Sequence, residues 1–150
     1  MITGFNITKI ESKVYEYTKF NNISINHELS LKNPGVVVQN TPFGDKNVLR
    51  MEYQLSINYL NPSIGYMIFS GISDYTGDDN LASIKDNWDN ASDMVTNKVK
   101  NEVSNMIFSN IIPFAMLMSS RMGLPPILPL PQINFGIQKE QKQEPQNYIG

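Results

Sequence analysis

The chain has 150 residues, of which 41% are hydrophobic and 17% are charged, and its formal net charge at pH 7 is −2. This length provides one domain with a sizeable core, and the slight negative charge, without any basic run, excludes the usual electrostatic footprint of a nucleic-acid-binding protein. The absence of cysteine excludes disulfides, thiolate metal sites and cysteine nucleophiles, and it suits a reducing compartment.

Alternation of apolar and polar residues predicts strands in the first half of the chain. Four are expected, over residues 5–20, 23–31, 48–59 and 64–72. The first should contain a bulge near Glu11 and Ser12, where the alternation breaks, and the second should end at Asn33. The fourth is apolar on both faces, as in a strand that is covered on both sides.

A loop beginning at Asp74 and then a long helix are expected next. The helix should start between Ser83 and Asp89, because aspartates suit the positive amino-terminal end of a helix. Apolar residues continue at three- and four-residue spacing to Leu117, which predicts one buried face. Pro113 should kink or split this helix, because proline lacks an N–H and clashes with the preceding turn.

Residues 110–135 are the most unusual segment, because they combine many apolar residues and five prolines with a single charge, Arg121. Gly123 should end the helix, and residues 124–131 should be extended. Residues 136–150 are polar and are expected to be a flexible tail. The predicted fold class is therefore α+β: an antiparallel four-stranded sheet, a long helix packed on one face, and a proline-rich crossover.

Catalytic chemistry has little support in the sequence. His27 is the only histidine, and it lies on the apolar side of the second strand, where a structural or interface role is expected. The aspartates between Asp74 and Asp93 do not match a calcium-binding loop, and they are expected to be solvated or to begin the helix. No phosphate-binding or metal-hydrolase motif is present, so we expect neither an enzyme nor a bound cofactor or metal.

Apolar surface is more abundant than one helix can cover in a 150-residue monomer. Either chains associate or an apolar surface stays open, and surfaces of that kind usually bind partners. Methionines on and after the helix suit such a role, because their side chains adapt to varied apolar partners. With no amino-terminal signal and no long uninterrupted apolar segment, we expect a cytoplasmic protein without a membrane span.

Two blocks of the sequence resemble the SecB protein-export chaperone family. The segment FNITKI at residues 5–10 is similar to the F-x-I-x-x-I start of that family's first strand. The more specific block is residues 110–135, where a proline–aromatic–alanine step, a Ser-Arg-Met-Gly turn and a strip of prolines and leucines ending in Asn134-Phe135 look like the family's helix, loop and crossover. The resemblance spans most of residues 5–135, which we take as a single SecB-like domain.

The resemblance implies a homotetramer, a dimer of dimers, which holds unfolded preproteins in apolar grooves and passes them to the export ATPase. Close relatives in the family instead stabilise antitoxins. Two departures bear on the handover step: the segment between helix and crossover is shorter here, and a short polar tail replaces the second helix expected after Phe135.

The primary hypothesis is therefore a chaperone that binds extended apolar polypeptide segments. The predicted client groove is lined by Phe43, Tyr66, Ile68, Leu124, Ile127, Leu128 and Leu130. The long helix and the face of Tyr53, Leu55 and Ile57 are expected to form the core instead. The alternative hypothesis is an oligomeric adaptor of the same fold, which binds one specific partner such as an antitoxin.

Overall fold

The computed structural model describes residues 1–15, 23–60 and 63–125. Its elements are β1 (Ile2–Val14), β2 (Ser24–Thr41), β3 (Gly44–Leu60), β4 (Gly65–Tyr75), α1 (Leu81–Asp86) and α2 (Met94–Met122). The strands form one antiparallel sheet in the order β1-β4-β3-β2, so β1 lies beside β4 rather than beside β2. With α2 packed on one face of this sheet, the predicted α+β class is confirmed.

The strands extend further than the alternation predicted. β2 does not end at Asn33 but passes through a bulge there, because the register against β3 shifts between Lys32 and Gly35. Asn33 adopts a left-handed φ of 54°, which asparagine tolerates better than most residues. In β1 the predicted bulge at Glu11 is wrong, since the register shifts lie nearer the strand's start, one of them around Thr8.

The predicted single helix is two helices. α1 is a separate short helix that begins after the capping side chain of Asn80 and ends at Asn87, whose side-chain amide donates to the Ser83 carbonyl. α2 begins only after Asp93, whose carboxylate accepts from the Thr96 backbone N–H. The predicted start was therefore wrong, because capping by polar side chains, rather than the apolar repeat, determines where each helix begins.

Pro113 does not split α2, which continues through it to Met122. Proline removes one backbone hydrogen bond, and Pro113 lies on the exposed side of the helix, where water can reach the freed Ser109 carbonyl. Ile111, Ile112 and Ala115 on the opposite side are buried and hold the helix on the sheet. Gly123 ends the helix as predicted, in a left-handed conformation with φ of 70°.

The core lies between α2 and one face of the sheet, which we call the covered face. Tyr53, Leu55 and Ile57 belong to it, at most 2% exposed, as the sequence predicted. The helix contributes a row of buried side chains from Val99 to Ala115. By length and composition alone α2 could also cross a membrane, and less than half of its most apolar segment is buried against the rest of the chain. The expected absence of a membrane span stays a prediction.

Candidate functional site

The second face of the sheet, which we call the open face, has no helix on it in the described part of the chain. It is formed by the side chains of β3 and β4 that alternate with the buried side chains of the covered face. These are Arg50, Glu52, Gln54, Ser56, Asn58, Tyr66, Ile68, Ser70 and Ile72. The β3 members are polar. The β4 members include three apolar or aromatic residues that are half-buried. β4 is apolar on both faces, as the sequence showed, but the apolar side chains on its open face are only partly covered by the described residues.

Tyr66 and Ile68 are the two predicted groove residues that the structure brings together. They follow each other along the open face of β4, and Ile72 continues the same row. The ring of Tyr15, at the end of β1, lies 5.9 Å from the ring of Tyr66. This small apolar row crosses the middle of the open face between polar side chains of β1 and β3.

Phe43 and Leu124 lie elsewhere. Phe43 is at the tip of the β2–β3 hairpin and is 100% exposed. Leu124 is buried on the covered face, where its Cδ2 atom would lie 3.3 Å from a Cβ atom on Gly65. The other predicted groove residues, Ile127, Leu128 and Leu130, lie outside the described residues. The groove as a whole therefore stays a prediction.

An apolar patch that the sequence did not predict lies where β1 meets the flank of α2. We call it the β1–α2 patch, and it comprises Ile7, Ile10, Phe114 and Leu117, with exposed fractions of 36%, 39%, 42% and 57%. Ile10 pairs in register with Phe69, whose ring contacts that of Phe114 edge-on at 6.2 Å. The spacing of Phe114 and Leu117 had placed both on the predicted buried face of the helix. They stay partly exposed, because periodicity does not show how far the sheet extends under the helix.

The two edge strands differ in how their outer sides are protected. Along β2, the Trp88 indole N–H donates to the Leu31 carbonyl at 3.4 Å, and Pro34 lacks an N–H. Trp88 itself is buried, with the Lys100 ammonium 4.7 Å from its ring centroid. No described residue caps the outer side of β1 in this way. An unpaired strand edge beside apolar side chains is a template for binding another extended chain.

One ion pair and one tyrosine stabilise the sheet around these surfaces. Arg50 donates two hydrogen bonds of 2.8 Å to the carboxylate of Asp74, which raises the pKa of Arg50. Asp74 was predicted to lie in a loop, but it belongs to β4 and is 5% exposed. Burial raises the pKa of Tyr53 to about 12, so its phenol stays protonated and donates to the Asn6 carbonyl at 3.0 Å.

The titratable groups show no catalytic arrangement within the described residues. His27 lies on the covered side of β2, where burial lowers its pKa and its Nε2 atom has no described hydrogen-bond partner. No three His, Asp or Glu side chains of the described segments converge as metal ligands. What the described residues offer is surface: a strand edge and a sheet face that none of them covers, with an apolar patch beside the edge.

Comparison with known proteins supports this description at the level of the fold. No known family model matches the sequence, and no curated protein matches it. The structure is similar to that of the SecB-like chaperone Rv1957 of Mycobacterium tuberculosis, in complex with a ChAD peptide from the Rv1956 HigA1 antitoxin. The TM-score is 0.55 at 13% sequence identity, covering 89% of this chain and 88% of that chain. This likeness shows a SecB-like fold.

Proposed function

We propose that this protein is a SecB-like chaperone that binds extended, apolar segments of unfolded polypeptides. The observation that carries the proposal is a SecB-like fold whose described part leaves the apolar side chains of Tyr66, Ile68 and Ile72 only partly covered on the open face. The chaperone neighbour's complex with a peptide supports a polypeptide as the class of partner. Since fold does not by itself imply function, the proposal depends on these surfaces.

The mechanism would be physical rather than chemical. When an extended segment lies on the open face, every second side chain reaches the same apolar surface. Covering about 400 Å² of apolar surface stabilises the complex by roughly 10 kcal/mol, and immobilising two molecules costs about as much. Binding would therefore be reversible, and it would select unfolded chains because only they expose long apolar segments.

Tyr66 and Ile68 supply the described part of the proposed client surface. The Pro-rich strip beginning at Leu124 supplies the rest in this proposal, through Leu128 and its neighbours. The described chain ends on the covered face, where the Pro125 carbonyl accepts a 3.0 Å hydrogen bond from the hydroxyl of Tyr59, a core residue near the end of β3.

Self-association is part of the same proposal. The β1–α2 patch lies beside a free edge, so a second copy of the chain could cover it, as the homotetramer implied by the sequence resemblance would require. Measuring the solution mass tests this step directly. A monomer would remove the self-association step and leave the patch to a client.

The functional test is suppression of aggregation of a chemically denatured client, followed by light scattering. We expect the wild-type chain to suppress scattering, and Ile68→Asp and Leu128→Asp to suppress it less, because each places a charge on the client surface. Asn105→Asp adds the same charge on the exposed side of α2 and serves as the matched control. Absence of suppression by the wild-type chain would contradict the proposal.

Co-purification distinguishes a general chaperone from a dedicated adaptor. A chaperone recovered from cytoplasm should carry many substoichiometric clients. One partner at a fixed ratio, such as an antitoxin, together with no suppression of aggregation, would replace the chaperone proposal by the adaptor. Whether the short tail of residues 136–150 supports transfer to an export ATPase is tested by adding that ATPase to a chaperone–client complex and measuring client release.

A further inference from the structure

A trough lined by both polar and apolar side chains crosses the open face and reaches Ile72, at the end of the apolar row. Its first part is a cavity of about 280 Å³ lined by side chains or backbone of all four strands, among them Thr8, Lys32, Glu52 and Ser70. A second cavity of about 270 Å³ continues it along β2 and β3 towards Glu28. The two cavities share Ser30, Lys32 and Gln54, so they form one elongated depression rather than two separate pockets.

Two of the register shifts in the described sheet, one in β1 and one in β2, lie on opposite sides of this trough. Thr8 is the extra residue of the β1 bulge, and its hydroxyl donates to the Ser70 carbonyl at 3.2 Å. Asn33 belongs to the β2 bulge, and its amide donates to the Glu52 carboxylate at 2.8 Å. Bulges bend strands and redirect side chains, often beside functional sites. Here they orient two of the polar groups that line the trough.

The charges in the trough are not paired with each other. Lys32 and Glu52 are directly opposite in register, but their charged groups form no ion pair in the described structure; Glu52 accepts from the Asn33 amide, and Glu28 accepts from the Asn26 amide. Within residues 1–15, 23–60 and 63–125, the side chains of Lys32, Gln54 and Ser30 make no hydrogen bond or ion pair. The trough thus presents a free ammonium group, two carboxylates (Glu28 and Glu52) and neutral hydrogen-bonding groups to one ligand.

We propose that the trough binds a polypeptide segment of mixed charge, with an acidic side chain against Lys32 and a basic side chain against Glu52. The inference deepens the proposed function and rests on it, since the ligand is a polar stretch of the same kind of extended client. Charge complementarity selects such a segment: a purely acidic one would meet Glu28 and Glu52, and a purely basic one would meet Lys32. The elongated, open shape suits an extended chain whose main-chain amides bond Gln54 and Ser30.

The test compares two labelled peptides that share one apolar core. The first carries Glu and Lys residues beside that core, and in the second Gln replaces every charged residue. At low ionic strength we expect the wild-type chain to bind the charged peptide about tenfold more tightly by fluorescence anisotropy, because two charge-assisted contacts form. In Lys32→Gln and Glu52→Gln the preference should fall to about threefold or less. Added salt should also reduce it.

The matched control removes charges that lie on the same face outside the trough. Lys9 and Glu11 form an exposed ion pair of 2.6 Å on β1, and the double variant Lys9→Gln/Glu11→Gln should keep the wild-type preference. Equal binding of the two peptides to the wild-type chain, or a preference unchanged in Lys32→Gln/Glu52→Gln, would overturn the inference. In either case binding of the uncharged peptide would leave the chaperone proposal intact. Failure of both peptides to bind would contradict both proposals.

Discussion

The covered and open faces of the same sheet have different chemistry, although both come from one alternating pattern. On β3 the covered side is a run of buried apolar residues, and the open side is polar from Arg50 to Asn58. On β4 the covered side is equally buried, but the open side retains Tyr66, Ile68 and Ile72. Both strands therefore build the core on the covered face, whereas on the open face β3 contributes polar side chains and β4 contributes polar and apolar ones.

The largest expected effect is on the covered face. Phe69→Ala removes a ring that is fully buried and contacts Phe114, so the free energy of unfolding should fall by about 3–5 kcal/mol. Urea unfolding measures it. Ser56→Ala, on the open face of the neighbouring strand, is the control and should change stability by less than about 0.5 kcal/mol. Similar losses for both variants would show that the two faces do not differ as described.

Close packing between strands gives the next effect. A Cβ atom on Gly71 would lie 1.9 Å from the Asn6 carbonyl and 2.5 Å from the Tyr53 hydroxyl. Gly71→Ala should therefore destabilise the protein by about 1–3 kcal/mol or more, because backbone must move. Gly35→Ala, in the β2 bulge, has no atom within 4 Å of the new Cβ and should be close to neutral. Thermal unfolding of both variants makes the comparison.

A smaller effect is expected for the half-buried ion pair between Arg50 and Asp74 on the open face. Asp74→Asn keeps the shape of the side chain but loses the charge that binds Arg50 through two hydrogen bonds. We expect a loss of about 1–2 kcal/mol, at the lower end because the Arg50 side chain is 46% exposed. Glu11→Gln, which removes the exposed partner of Lys9 on the same face, should leave the urea midpoint unchanged. An equal loss of stability in Asp74→Asn and Glu11→Gln would contradict the expectation that the half-buried ion pair contributes more than the exposed one.

The smallest effect concerns pH and the covered side of β2. Because burial lowers the pKa of His27, the unfolded chain binds a proton more readily than the folded chain, and stability should fall as the pH drops through the ordinary histidine range near 6.5. His27 is the only histidine, so His27→Gln should flatten this dependence between pH 7.5 and 5.5. Urea titrations at both values measure the slope, and parallel slopes in the two proteins would argue against a buried neutral imidazole.

Much of the fold could be predicted from local pattern. Strict alternation over residues 48–59 marked the buried face of β3, and the left-handed end of α2 followed from Gly123. The boundaries failed where a single polar side chain decided the outcome. Asn87 caps the end of α1, and Asp93 caps the start of α2. Asp74 lies in a strand because its charge is neutralised by Arg50, which is 24 residues away in sequence.

The candidate sites were less predictable, because each depends on residues from distant parts of the chain. Tyr66 and Ile68 were identified from alternation on one strand. The β1–α2 patch required knowing that β1 pairs with β4, which places Ile10 beside Phe69 and Phe114. The trough required two bulges on opposite edge strands. Neither signal is visible within a single segment.

The sequence by itself therefore determined the class of the fold, the core row and the surplus of apolar residues, because each follows from periodicity and composition. The tertiary structure alone decided which apolar residues stay exposed and where charges such as Lys32 remain unpaired. The physical reason is that burial and pairing depend on strand order and register. These bring residues 20 to 100 positions apart into contact, beyond the reach of any local pattern.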